Sequence, residues 1–211
     1  AQDITPLHAR LLWMLVKNSM TVAGDITQAT NSLGIRRSWN TFGLILARTV
    51  RITEAHRSTR EIMKFVEVIA KEISSAEFPT LAAARGERPT IFLCNDKKQM
   101  VEEIAKKLKS ITSVLKNDHI LIVCQTREQA EWLEDYLWDK NGIKCFAERD
   151  EEWDFSRHIH LSTYDQIGGL EFDHVFALVL SGIEKLDRGV EMMYVALTRA
   201  RKELHIFDYE E

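Results

Sequence analysis

From Thr90 onward the sequence alternates short apolar runs with amphipathic stretches of about 10–18 residues, a rhythm that few folds accommodate. The spacing predicts strands over Thr90–Cys94, His119–Cys124, Ile143–Ala147, His158–Thr163, His174–Leu180 and Glu203–Asp208. It predicts helices over Lys97–Leu115, Arg127–Trp138 and Glu191–Arg201, with a turn at Asn141-Gly142. Several of these strands are apolar throughout rather than alternating. A strand of that kind must be covered on both faces, which implies an α/β fold with a parallel sheet between helices. In such sheets ligands collect beyond the carboxyl ends of the strands. That rule directs attention to the loops after Ala23, Cys124, Thr163 and Leu180.

The first 90 residues are less regular. Pro6 and the apolar stretch from His8 to Val16 predict a helix with proline in its first turn. Met20–Ala23 reads as a short strand running into Gly24-Asp25, followed by a loop-rich stretch to about Asn40. Ile62, Phe65, Val66, Ile69 and Ile73 recur at helical spacing and predict a helix from Ser58 to about Ser74. Residues 75–89 read as a connector.

Composition excludes several classes. With 211 residues, 45% hydrophobic and 28% charged, the chain suits one or two ordinary globular domains. Every apolar run falls short of the roughly 18 residues a membrane span needs. Ala1–Pro6 lacks the features of a signal peptide, so a cytoplasmic location is expected. Cys94, Cys124 and Cys145 are far apart and odd in number, which favours buried reduced thiols over a disulfide or metal framework. His158 and His160, with no partner at ligand spacing, read as surface or edge residues, and no metal site is expected. Residues 1–90 carry 12 basic against 8 acidic side chains, and residues 91–211 carry 16 against 24. A protein that coats nucleic acid through overall charge is excluded; a polyanion would have to use a local patch, most favourably in the N-terminal part.

Three segments carry chemistry. Gly24-Asp25-Ile26-Thr27-Gln28 follows a strand-like run and presents a carboxylate and an amide; an amide at such a turn can sense a phosphate or orient water. His56-Arg57-Ser58-Thr59-Arg60-Glu61 reads as a helix start, with Ser58 and Glu61 spaced as a capping box and Arg57 left over. Gly169-Leu170-Glu171-Phe172-Asp173 is followed by Tyr194-Val195-Ala196-Leu197-Thr198-Arg199-Ala200. On a helix, Tyr194, Leu197 and Ala200 would share a buried side, while Arg199 would lie off it and be free of packing duty.

Together these segments resemble the motor motifs of UvrD-like superfamily 1 helicases. The resemblance implies a RecA-like P-loop NTPase fold and an ATP-driven DNA helicase or translocase. Residues 1–48 would be the end of a first RecA-like domain, and residues 49–211 the second. Ala1-Gln2-Asp3 is similar to the tail of the family's Walker B motif, placing Asp3 near the nucleotide. The 211 residues contain no G-x-x-x-x-G-K-S/T loop. The phosphate loop and the acidic residues that hold Mg²⁺ are therefore expected upstream, in an N-terminal motor domain of the same protein, and the fragment alone is expected to be inactive. The resemblance makes Gln28 the γ-phosphate sensor and Arg57 and Arg199 the cations that contact the transferring phosphoryl group. Gly24, Asp25, Gly169 and Glu171 would line the nucleotide, Glu171 at the ribose. Thr163, Tyr164 and Trp39 would contact single-stranded DNA.

Two departures weaken the expected grip on nucleic acid. The family's aromatic-rich stretch after G-D-x-x-Q is here Ala29-Thr30-Asn31-Ser32, with Trp39 and Phe42 arriving later as either substitutes or packing residues. Asp165 and Gly168 stand where the family carries His and Lys. The interval between Arg57 and Gly169 is also too short for the large extra domain of bigger family members. That compactness is similar to HelD-type proteins, which act on RNA polymerase, and keeps open an ATPase that remodels a protein complex. A non-enzymatic interaction module is the third alternative.

Overall fold

The computed structural model describes residues 1–16, 20–29, 31, 33–34, 39, 48–52, 55–73, 84–115, 117–148, 153–178, 182–186 and 188–209. Thr30, Ser32, Phe42, Ser74, most of the expected connector, and Val179 and Leu180 of the expected strand lie outside these residues.

A six-stranded sheet organises the chain. Its strands are β1 (Thr90–Cys94), β2 (Ile120–Cys124), β3 (Phe146–Ala147), β4 (Ile159–Thr163), β5 (Phe172–Leu178) and β6 (Ala200–Tyr209), in the order β1-β6-β5-β2-β4-β3. All five pairings are parallel. Every residue of β2 is buried, as its continuous apolar run required, and so is every residue of β4, polar side chains included. Helices α3 (Lys97–Val114) and α4 (Arg127–Asn141) cover one face. Helices α2 (Arg60–Ile73) and α5 (Gly189–Leu197) cover the other. Thr126 and Asp96 cap the starts of α4 and α3 by accepting the N–H groups of Gln129 and Gln99. Gly142 ends α4 in the left-handed conformation, φ 64°, where the missing Cβ removes the steric cost.

Several expectations need correction. Met20–Ala23 forms no strand among the described residues, and a strand needs a partner to form. The third strand is confined to two residues at the sheet edge. The capping box does not form. Thr59 is the residue whose hydroxyl accepts the Ile62 N–H, at 3.4 Å. Glu61 instead accepts the N–H of Gly86 at 2.7 Å, and this bond, against a smaller cost of desolvation, lowers its pKa. Ser58 is buried and donates to the Ala200 carbonyl at 2.6 Å, stitching the start of α2 to the start of β6. Ser58→Ala strands that carbonyl, and denaturant unfolding is expected to show a loss of about 1–3 kcal/mol.

His160 is not at an edge. Strand β4 lies between β2 and β3, and the ring is fully buried against Glu148 (2.7 Å) and the Arg157 carbonyl (3.0 Å). His158 is exposed. The three cysteines are buried free thiols, and burial pushes Cys145 up to about 12, which leaves it unreactive.

Helix α1 (Pro6–Leu15) starts with Thr5 accepting the His8 N–H and leaves most of its apolar side chains exposed. Only Ala9 is buried, in a small separate cluster with Ile4, Met20, Val22, Ile26 and Trp39. No described helix is long and apolar enough to cross a membrane.

Candidate functional site

Helix α5 stops at Leu197, four residues short of its expected end. Thr198 donates its hydroxyl to the Val195 carbonyl (2.9 Å), the Arg199 N–H turns to Ala196 (3.1 Å), and Ala200 enters the sheet beside Phe172. Arg199 therefore sits in a tight turn at the amino end of β6. It is not off the packing surface, as helical geometry suggested: it is 1% exposed and among the largest buried side chains. A guanidinium can be buried when its fork of donors finds acceptors. Here Nε donates to the Val195 carbonyl (2.9 Å) and Nη1 to the Leu170 carbonyl (3.2 Å). Nη2 donates to Gln28 Oε1 (2.7 Å) and, more weakly, to Thr198 Oγ1 (3.4 Å).

The second arginine arrives from α2. Ser58 fixes that helix start to Ala200, which brings Arg57 to the same rim. Arg57 Nε pairs with Glu171 Oε1 at 2.6 Å, with the two side chains 41% and 38% exposed. One dipeptide thus joins the two cations: Leu170 receives Arg199 through its carbonyl, and Glu171 receives Arg57 through its carboxylate. Gly169, just before it, takes φ 80°, a conformation that disfavours any side chain. Burial and then the positive charge of Arg57 push Arg199 down to about 10, with Glu171 opposing. Two guanidinium groups widely separated in sequence converge on one rim.

Gln28 closes the third side. Asp25 accepts the Thr27 N–H (3.0 Å) and hydroxyl (2.6 Å) through Oδ1 and the Gln28 amide (2.8 Å) through Oδ2, which aims Oε1 of Gln28 at Arg199. Tyr194 of α5 also meets Thr27. Arg188 gave no signal in the sequence. It starts α5 in a left-handed backbone conformation, φ 61°, and reaches the Ala29 carbonyl at 2.7 Å. It fastens the 26–28 turn (Ile26–Gln28) to α5. Gly24 serves close approach rather than turning: a Cβ there would lie 2.6 Å from Gln2 Oε1 and 2.8 Å from Trp39. Asp3 lies alongside, accepting the Asn31 N–H at 3.1 Å.

The site is at the amino ends of β5 and β6, not beyond the carboxyl ends. Glu171 and Arg199 each precede a strand, so in an all-parallel sheet both must fall at that edge. Thr163 closes β4 at the opposite edge and is buried. Tyr164 is buried too, its hydroxyl donating to the Leu178 carbonyl at 3.2 Å, so its ring offers no face to a base. Trp39 packs into the small N-terminal cluster. Asp165 is exposed.

Paired guanidinium groups on a partly exposed rim fit the terminal phosphates of a nucleotide. A Mg²⁺ site does not fit the same residues: Asp25 is engaged by Thr27 and Gln28, Asp3 by Asn31, and Glu171 by Arg57.

The parallel sheet, its two helical layers and this rim define a RecA-like helicase-type domain. Residues 93–208, more than half of the chain, match the viral superfamily 1 RNA helicase core domain, and the chain belongs to that family. No curated protein matches the sequence. Among solved structures, the chain resembles the C-terminal domain of a possible DNA helicase from Lactobacillus plantarum, with 19% identity, TM-score 0.57, and coverage of 74% of this chain and 88% of that one. It also resembles the Hef helicase domain of Pyrococcus furiosus, with 16% identity, TM-score 0.41, and coverage of 53% and 25%.

Proposed function

We propose that the chain supplies the arginine-bearing wall of a nucleotide cleft in a superfamily 1 motor. Residues 1–48 would be the end of a first RecA-like domain and residues 49–211 the second. The observation that carries this reading is the Leu170-Glu171 dipeptide, which gathers Arg57 and Arg199 at one rim. ATP, bound with Mg²⁺ by an N-terminal motor domain of the same protein, would supply the phosphoryl group. Arg57 and Arg199 would then stabilise charge on that group as the cleft closes. Gln28 links the walls: it holds Arg199 directly and is itself held by Asp25. Closure tied to hydrolysis in this way would move the two domains along a nucleic-acid strand.

Single-stranded DNA is the proposed track. A second reading, an ATPase acting on a protein complex such as RNA polymerase, is favoured by the burial of Thr163 and Tyr164 and the exposed acid at Asp165. ATP hydrolysis by the full-length protein separates them. Strong stimulation by single-stranded DNA is expected. Equal or greater stimulation by RNA of the same length would reassign the track. Stimulation by RNA polymerase with no response to either strand would transfer the assignment to the second reading.

A further inference from the structure

On the face of the sheet covered by α3, three side chains outside the nucleotide-facing rim come together. His174 of β5 lies directly across from Glu203 of β6, and His205 is two residues further along the same face. Glu203 Oε2 is 3.0 Å from His205 Nε2 and 3.6 Å from His174 Nδ1. The three donor atoms all lie within 4.8 Å of one another. Four ligands around Zn²⁺ at about 2.0–2.1 Å are separated by roughly 3.3–3.4 Å in a tetrahedron. The two separations from Glu203 straddle that value.

The surroundings are those of a built site. Both imidazoles are almost fully buried, and the His174 and His205 Nδ1 atoms have no hydrogen-bond partner. The far nitrogen of His174, Nε2, meets Asp118 Oδ2 at 3.0 Å. Lys202 holds that carboxylate through two contacts of 2.9 Å, which keeps it an acceptor. With Nε2 held at Asp118, Nδ1 stands on the Glu203 side, 3.6 Å from that carboxylate and without a hydrogen bond. A carboxylate behind a histidine is also how metal-binding imidazoles are oriented and made more basic. His205 is fixed between Phe176 (5.1 Å, edge-on) and Phe92 (6.4 Å). The competing cation is Lys107 of α3, whose Nζ is 3.5 Å from Glu203 Oε2 on a partly exposed stem that can swing aside.

The geometry points to a Zn²⁺ site formed by His174, Glu203 and His205, with Asp118 positioning His174. Two imidazoles and one carboxylate are a set that suits Zn²⁺. The site would clamp β5 to β6 within a few residues of Glu171 and Arg199, fixing the two strands that carry the rim. It stands on the opposite face from α2 and α5 and is independent of the nucleotide assignment.

The test is a titration of Zn²⁺ into the metal-stripped 211-residue chain against a chromophoric chelator, with Co²⁺ as a spectroscopic probe. We expect one equivalent to bind, and Co²⁺ to give the intense visible bands of low coordination number. Asp118→Asn removes no ligand atom and is expected to weaken affinity about 10–100-fold through His174. Glu203→Gln is expected to weaken it at least as much. Lys107→Met, which removes the competing ammonium, is expected to tighten it. Absence of uptake would overturn the site. So would uptake that Asp118→Asn and Glu203→Gln leave unchanged, as metal held by cysteines or surface carboxylates would be. If Glu203→Gln does not fold, the Asp118 and Lys107 variants decide the matter in the same titration, because their opposite shifts would not arise from loss of structure.

Discussion

Arg199→Ala in the full-length protein is expected to lower ATP turnover by about 10³–10⁵-fold, the range typical of a lost arginine finger. The same substitution is expected to destabilise the 211-residue chain, because it strands the partly buried Leu170 carbonyl and Gln28 amide oxygen, while the Val195 carbonyl keeps the Thr198 hydroxyl. Each stranded group costs about 1–3 kcal/mol, with partial relief from water, so a total of about 2–4 kcal/mol is expected by denaturant unfolding. Loss of turnover alone would therefore be ambiguous. Arg199→Lys separates the two effects. It keeps the charge and most of the volume but not the planar fork. Its turnover should stay near that of Arg199→Ala while nucleotide binding survives and stability partly recovers. Near-normal turnover in either variant would remove Arg199 from the chemistry.

Arg57→Ala should show the opposite balance. Its ion pair with Glu171 is at the surface, and exposed pairs of this kind contribute roughly 0–1 kcal/mol. The melting temperature of the chain should hardly move. Turnover of the full-length protein should still fall about 10³-fold or more, since the second cation facing the phosphoryl group is gone. Relief of like-charge repulsion would also let the Arg199 pKa rise from about 10. A variant that keeps its activity, or loses it only in proportion to unfolding, would reduce Arg57 to a surface residue. The two arginines thus give distinct signatures: one is needed for both fold and turnover, the other for turnover alone.

The parallel sheet was legible in the sequence because several of its strands, β2 above all, are continuous apolar runs, and β1 begins and ends where the pattern placed it. Helix α5 was over-extended because Thr198 and Arg199 have no helix-breaking chemistry; pairing of Ala200 with Phe172 ends it, and that is a long-range event. Ser58 was misread for the same reason. Its spacing to Glu61 suits a cap, but the Ala200 carbonyl, 142 residues away, captures its hydroxyl. Arg199 is buried rather than off the packing surface, because helical periodicity does not foresee a buried fork satisfied by four backbone or side-chain oxygens. Sequence reading also looked to the carboxyl ends of the strands, whereas Glu171 and Arg199 lie just ahead of theirs. The His174, Glu203 and His205 group had no sequence spacing to reveal it, since strand register alone assembles it.

The central claim is that Arg57 and Arg199 face one phosphoryl group when the cleft closes. A structure of the full-length protein with ADP and aluminium fluoride tests it directly. The account predicts guanidinium nitrogens of both residues within hydrogen-bonding distance of the fluoride, with Arg199 drawn off Gln28. An intact Arg199–Gln28 bond at 2.7 Å, with both guanidinium groups turned away from the bound anion, would contradict it.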